Sequence, residues 1–85
     1  MLQLNDGNFL QALEERAPLL VAFTAPWCGH CKRLHPEMEK AAELLEDREP
    51  EVTLAMVDCE AANSRKVKKQ LGIQSFPTLK FYTGS

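Results

Sequence analysis

Residues 19–32 read LLVAFTAPWCGHCK. The first five, Leu19 to Phe23, are apolar at every position, the pattern of a short strand covered on both faces. A Pro-Trp turn then delivers Cys28 to the start of a helical segment. A thiol at that point faces unpaired backbone N–H groups and the positive end of the helix dipole, both of which favour thiolate. Cys31 lies one turn further in, shielded by its own helix. The geometry predicts an accessible attacking sulfur at Cys28 and a covered resolving one at Cys31. His30, when protonated, adds a positive charge near Cys28 that favours thiolate over disulfide. Pro26 and Gly29 suit a tight entry into the helix.

Spacing alone leaves three readings of the pair: a redox couple, half of a zinc site, or a structural crosslink. Zinc takes four ligands. The pair could recruit only His30, His35 or Cys59, and no second Cys-x-x-Cys exists. Three cysteines are too few for a disulfide framework, so one close pair plus an odd third reads as chemistry.

Outward from this stretch, Leu2 and Leu4 mark a short strand. Asp6 is placed to cap a helix carrying Phe9, Leu10, Leu13 and Ala17, stopped by Pro18. The long helix runs from about Cys28 to about Arg48, with Leu34, Met38, Ala41, Ala42 and Leu45 on one stripe. Pro36 inside it removes a backbone donor and predicts a kink. Val52 to Asp58 repeats the buried-strand pattern. A helix over Ser64 to Leu71 ends at Gly72. Thr78 to Tyr82 alternates, which predicts one wetter face, and Thr83-Gly84-Ser85 begins a turn. The order β-α-β-α-β-α-β argues for one α/β domain, 1–85, around a central sheet.

The chain has 85 residues, 45% apolar and 26% charged, with a net charge of −2. That suffices for a single small domain with a slim stability margin. The charge balance points to neither nucleic acid nor an anionic membrane. No apolar run approaches the roughly 18 residues of a membrane span. Met1-Leu2-Gln3-Leu4 lacks the regions of a signal peptide, so any secretory address was removed or never included. Cys59 reads as a free, partly buried thiol, and Asn63 and Ser64 stand where a pairing cysteine would be needed. His35 reads as a partly exposed helix residue. The cluster Arg65, Lys66, Lys68 and Lys69 reads as a solvated helix face.

The segments LLVAFTAPWCGHCKRLHPEMEKAA, VTLAMVDCE and LGIQSFPTLKFYTGS, in that order and spacing, resemble the thioredoxin superfamily. More narrowly, they resemble the catalytic a-type domains of protein disulfide isomerases. The resemblance implies a thioredoxin-like fold, a central mixed sheet flanked by helices. It implies a cis bond before Pro77 and a peptide-docking surface made by Trp27, Gly29, Phe76 and Pro77, with the backbone of Phe76 presented to an extended substrate. The implied chemistry is thiol–disulfide exchange by Cys28 and Cys31 with His30 assisting, and no bound cofactor. Implied partners are unfolded or misoxidised client polypeptides, with a lumenal oxidase or glutathione as redox partner, in the endoplasmic reticulum lumen. The competing readings are a thioredoxin-type reductase, disfavoured by His30 where reductases commonly have proline, a peptide-binding module with weak turnover, and a metal-binding protein.

Two departures from the family pattern stand out. Isomerase domains usually carry a buried glutamate at the position of Ala22 and a lysine at that of Met56, the acid moving the proton of the second cysteine. Losing both together is tolerable for folding, since neither leaves a stranded charge. The step that needs Cys31 deprotonated is then expected to be slow. The family fold also continues past the Gly84 turn with a strand, a helix and an arginine. The expectation is therefore a C-terminally incomplete domain of a longer protein, with an open edge at Thr78–Tyr82 and marginal stability.

Overall fold

A computed structural model of the chain describes residues 1–83; the turn expected at Gly84 and Ser85 lies outside them. Four strands, β1 (Leu2–Leu4), β2 (Leu19–Thr24), β3 (Thr53–Asp58) and β4 (Thr78–Tyr82), form one sheet in the order β1-β3-β2-β4. β1, β3 and β2 run parallel, and β4 pairs antiparallel with β2. Three helices flank it: α1 (Phe9–Glu15), α2 (Gly29–Arg48) and α3 (Arg65–Leu71), with a 3₁₀ turn over Ala62–Ser64 before α3. The mixed sheet and its helices are the thioredoxin-like α/β arrangement that the resemblance implied.

Strand periodicity divides the core. Leu19, Val21 and Phe23 of β2 are fully buried and pack with Ala55, Val57, Phe9, Val67 and Ile73 on the face covered by α1 and α3. Ala22, Leu54 and Met56 point the other way and pack with Met38 under α2. Both faces of β2 are covered, as its unbroken apolar run requires. Burying each large side chain contributes about 1.5–3 kcal/mol. Ala22 and Met56 are register partners on neighbouring strands, so the two apolar replacements lie side by side.

Three local expectations are corrected. Asp6 does not cap α1: that helix begins at Phe9 after Asn8, whose side chain makes no cap bond, and it ends at Glu15 rather than Ala17. The Asp6 carboxylate instead accepts the backbone N–H groups of Lys66 (3.3 Å) and Val67 (2.9 Å), filling the orphan donors of α3 from across the chain. Leu10, expected on the apolar stripe of α1, is 72% exposed. β4 has the one wetter face expected of its alternation, and the residues on that face are the apolar ones. Leu79 and Phe81, opposite Ala22 and Leu20, lie on the α2 side and are more than half exposed, while Tyr82 packs edge-on against Phe9 on the other face. Gly72 stops α3 as expected, in left-handed conformation at φ 64°, with Ile73 N–H returning to the Lys68 carbonyl.

Candidate functional site

β2 ends at Thr24, and the Cys28 N–H closes the following turn onto the Ala25 carbonyl at 3.1 Å. Cys28 is the N-cap of α2, with extended backbone (φ −84°, ψ 115°), rather than its first helical residue. Its Sγ accepts the Cys31 N–H at 3.2 Å, taking the place a serine or aspartate oxygen takes in ordinary caps. As a thiol it donates to the Phe76 carbonyl at 3.6 Å. The peptide bond between Phe76 and Pro77 is cis, as is that between Ala17 and Pro18. Ala25, Cys28, Cys31 and half-buried Phe76 thus form one small cluster between the end of β2, the start of α2 and the loop before β4. All three cysteines are free thiols.

Electrostatics separates the two sulfurs more than exposure does. Cys28 is 6% and Cys31 4% exposed, so the expected contrast between an open and a covered sulfur is small. The Cys31 thiol, hydrogen-bonded to Cys28, holds the Cys28 pKa below its ordinary 9.0. The backbone N–H groups of Cys31 and His30 and the charge of Arg33 act in the same direction, against burial. Cys31 goes the other way: burial first, then the bond to Cys28 and that sulfur's charge, push its thiol up. At neutral pH the pair is therefore asymmetric, with Cys28 the ready nucleophile and Cys31 the protonated partner.

The cation facing Cys28 belongs to Arg33, which the sequence did not reveal. Its guanidinium folds back along the first turn of α2 and contacts His30 Nδ1 at 3.0 Å. Arginine can only donate, so Nδ1 accepts and the imidazole in this contact is neutral with its proton on Nε2. Arg33 thus adds a positive charge to the first turn of α2 beside His30. A basic residue five positions beyond the N-cap cysteine and one turn beyond His30 was the available signal.

Trp27 is 65% exposed and stands edge-on to Phe76, ring centroids 5.5 Å apart. Lys68 lies over the other side of the Phe76 environment, its Nζ 5.6 Å from that ring's centroid. Gly29 opens α2, exposed, with Pro77 half-buried beside Phe76. The expected docking residues are thus gathered around the cysteine pair. Cys59 is not: it is buried in the core face under α1 and α3, its thiol pushed up to about 11, chiefly by burial. His35 is exposed on α2 and pairs through Nδ1 with Glu39 Oε1 at 2.8 Å. Among the described residues, no group of three metal-ligating side chains clusters.

The model of the thioredoxin family matches residues 1–85. The chain is 46% identical over 79 residues to protein disulfide-isomerase erp38 of Neurospora crassa, covering 93% of this chain and 21% of that protein. It is likewise 46% identical over 82 residues to the protein disulfide-isomerase of Gallus gallus, covering 96% and 16% respectively. The chain thus spans about a fifth or less of the length of these curated relatives. Among solved structures it superposes on thioredoxin f2 of Chlamydomonas reinhardtii with a TM-score of 0.82 at 30% identity, covering 99% of this chain and 75% of that one. On the first thioredoxin domain of mouse protein disulfide-isomerase A4 the TM-score is 0.78 at 37% identity, covering 92% and 54%. The family model spans the whole chain and the relatives match nearly all of it, so the chain belongs to the thioredoxin family.

Proposed function

We propose that this domain forms and rearranges disulfides in client polypeptides, as a protein disulfide isomerase domain working in the endoplasmic reticulum lumen. The observation that carries the reading is the cap geometry: Cys28 Sγ takes the Cys31 N–H at the start of α2 beside the Phe76 carbonyl, with its pKa lowered. In the reducing direction, Cys28 thiolate attacks a client disulfide, forms a mixed disulfide and releases one client thiolate. Cys31 then loses its proton and attacks Cys28 Sγ. The client leaves with its second thiol, and the pair is left as a disulfide. Run backwards, the Cys28–Cys31 disulfide accepts a client thiolate and oxidises it.

Extended clients dock across Trp27, Phe76 and Pro77 by apolar contact. A lumenal oxidase or glutathione resets the pair. No metal or organic cofactor takes part, because the two sulfurs carry both electrons.

Reactivation of scrambled ribonuclease tests the reading against Cys28→Ser. The domain should restore activity and the variant should not. Equal results would favour a peptide-binding module instead. The likeness to a thioredoxin keeps a reductase as the second reading. A reduction potential near −270 mV would favour it, and one near −180 mV the isomerase.

A further inference from the structure

The release step has an unmet requirement. Cys31 is 4% exposed and its thiol is pushed up, yet it must lose a proton before it can attack Cys28. On the sheet face under α2, Ala22 and Met56 are both buried and apolar, so neither side chain offers a proton acceptor. A cavity of about 270 Å³ adjoins Cys31 on the side of Met56, open to solvent and bordered also by Gln3, Lys32, His35 and Asp58. It is roomy enough for water, which can enter from the solvent side.

We infer that the proton of Cys31 leaves through this cavity to His35, a histidine oriented by Glu39. The inference rests on the oxidoreductase reading above and adds a route for its second step. His35 Nδ1 lies 2.8 Å from Glu39 Oε1 one turn along α2. A carboxylate can only accept, so Nδ1 carries the proton and Nε2 is the ring's free acceptor. Histidine is the side chain type suited to taking and returning a proton, and Glu39 fixes which ring nitrogen is free to do so. Glu39 is a positioning residue in this scheme.

The other charged groups at the cavity suit the role less well. Lys32 can only donate. Asp58, at the end of β3, has one oxygen engaged by the Glu60 N–H at 3.0 Å and keeps the other, so it is the competing acceptor that the test must separate from His35. Gln3, from β1, does not titrate.

The step balances. Cys31 S–H gives its proton to water and thence to His35. The Cys31 thiolate forms the S–S bond with Cys28 Sγ, and the Cys28–client S–S bond breaks. The client thiolate departs with the electron pair and is protonated from His35 or from solvent. The pair is oxidised by two electrons and the client reduced by two.

The test is a single turnover of the reduced domain with glutathione disulfide, quenched by acid and alkylation, with the mixed disulfide and the Cys28–Cys31 disulfide resolved by mass. His35→Gln and Glu39→Gln are compared with the parent between about pH 6 and pH 8. His35 and Glu39 are about half exposed, so both variants should fold. His35→Gln should slow loss of the mixed disulfide about tenfold at pH 7, below the 10²–10⁴ of a base in direct contact. Its formation should be unchanged, and the histidine-type inflection of the release rate should disappear. Imidazole added to a His35→Ala variant should restore release.

Unaltered release in His35→Gln, or slowing in Asp58→Asn instead, would overturn the route through His35 while leaving the oxidoreductase reading standing. A parent that forms neither a mixed disulfide nor a Cys28–Cys31 disulfide would overturn both.

Discussion

Replacing Ala22 by Glu and Met56 by Lys puts an acid and a base on two register partners of β2 and β3, under α2. Ala22 is 0% exposed, among Met38, Leu54 and Met56. A lone glutamate there is a buried, unpaired carboxylate, and Ala22→Glu should destabilise by about 3–5 kcal/mol. The whole domain's stability, scaled to 85 residues, is about 4–13 kcal/mol, so that loss is roughly a quarter of it or more. Met56→Lys should cost less, because Met56 borders the cavity and a lysine can carry its ammonium toward water.

Together the two charges satisfy one another. The double variant should be more stable than the sum of the singles by about 1–3 kcal/mol, the range for coupled neighbours. Urea unfolding of all four proteins measures that coupling. The same double variant now holds a proton acceptor in the core under α2, on the register partner of the residue that borders the cavity of Cys31. Its single-turnover release of a mixed disulfide should quicken by about 10²-fold over the parent, the lower end for a positioned base. Coupled stabilities with an unchanged release rate would refute the claim that a missing proton acceptor limits Cys31. Purely additive stabilities would refute the pairing itself.

Asp6→Ala strands two N–H groups at the start of α3 and should cost about 1–2 kcal/mol in urea unfolding, with Asp6→Asn intermediate. The pKa of Cys59 is raised from 9.0 to about 11 on folding, so the folded state favours its neutral thiol. That stability is fully present below about pH 9 and is lost as pH rises toward 11. Urea midpoints measured from pH 8 to 11 should fall, and Cys59→Ala should flatten the first part of that decline. Arg33→Ala should raise the Cys28 pKa slightly, read from the pH dependence of iodoacetamide alkylation. The difference should vanish in about 1 M salt, where the Debye length is about 3 Å.

The parts of this molecule that were legible in its sequence are those governed by local pattern. Leu19 to Phe23 is apolar on both parities and becomes the fully covered strand of the sheet, and Gly72 ends a helix because only its left-handed conformation closes the cap. Cys28 and Cys31 are brought together by a single helical turn, so their proximity followed from spacing. Asp6 was misread because capping rules look a few residues ahead, whereas its carboxylate serves a helix 60 residues away. The exposed side of β4 was invisible because alternation gives parity but not which face is covered. Arg33 comes against His30, with its charge acting on Cys28, through a choice of side-chain conformation that spacing does not fix. The cavity beside Cys31 depends on how the end of β3, the first turns of α2 and Gln3 of β1 meet, and no local signal records that.

The division of labour between the two sulfurs is tested most directly by trapping. The domain carrying Cys31→Ser, incubated with a disulfide-bonded peptide, should accumulate a mixed disulfide whose mass and proteolytic map place the peptide on Cys28. Under the same conditions Cys28→Ser should accumulate none, because the remaining buried thiols, Cys31 and Cys59, both have raised pKa values. A peptide found on Cys31, or equal trapping by the two variants, would contradict the assignment of Cys28 as the attacking thiolate.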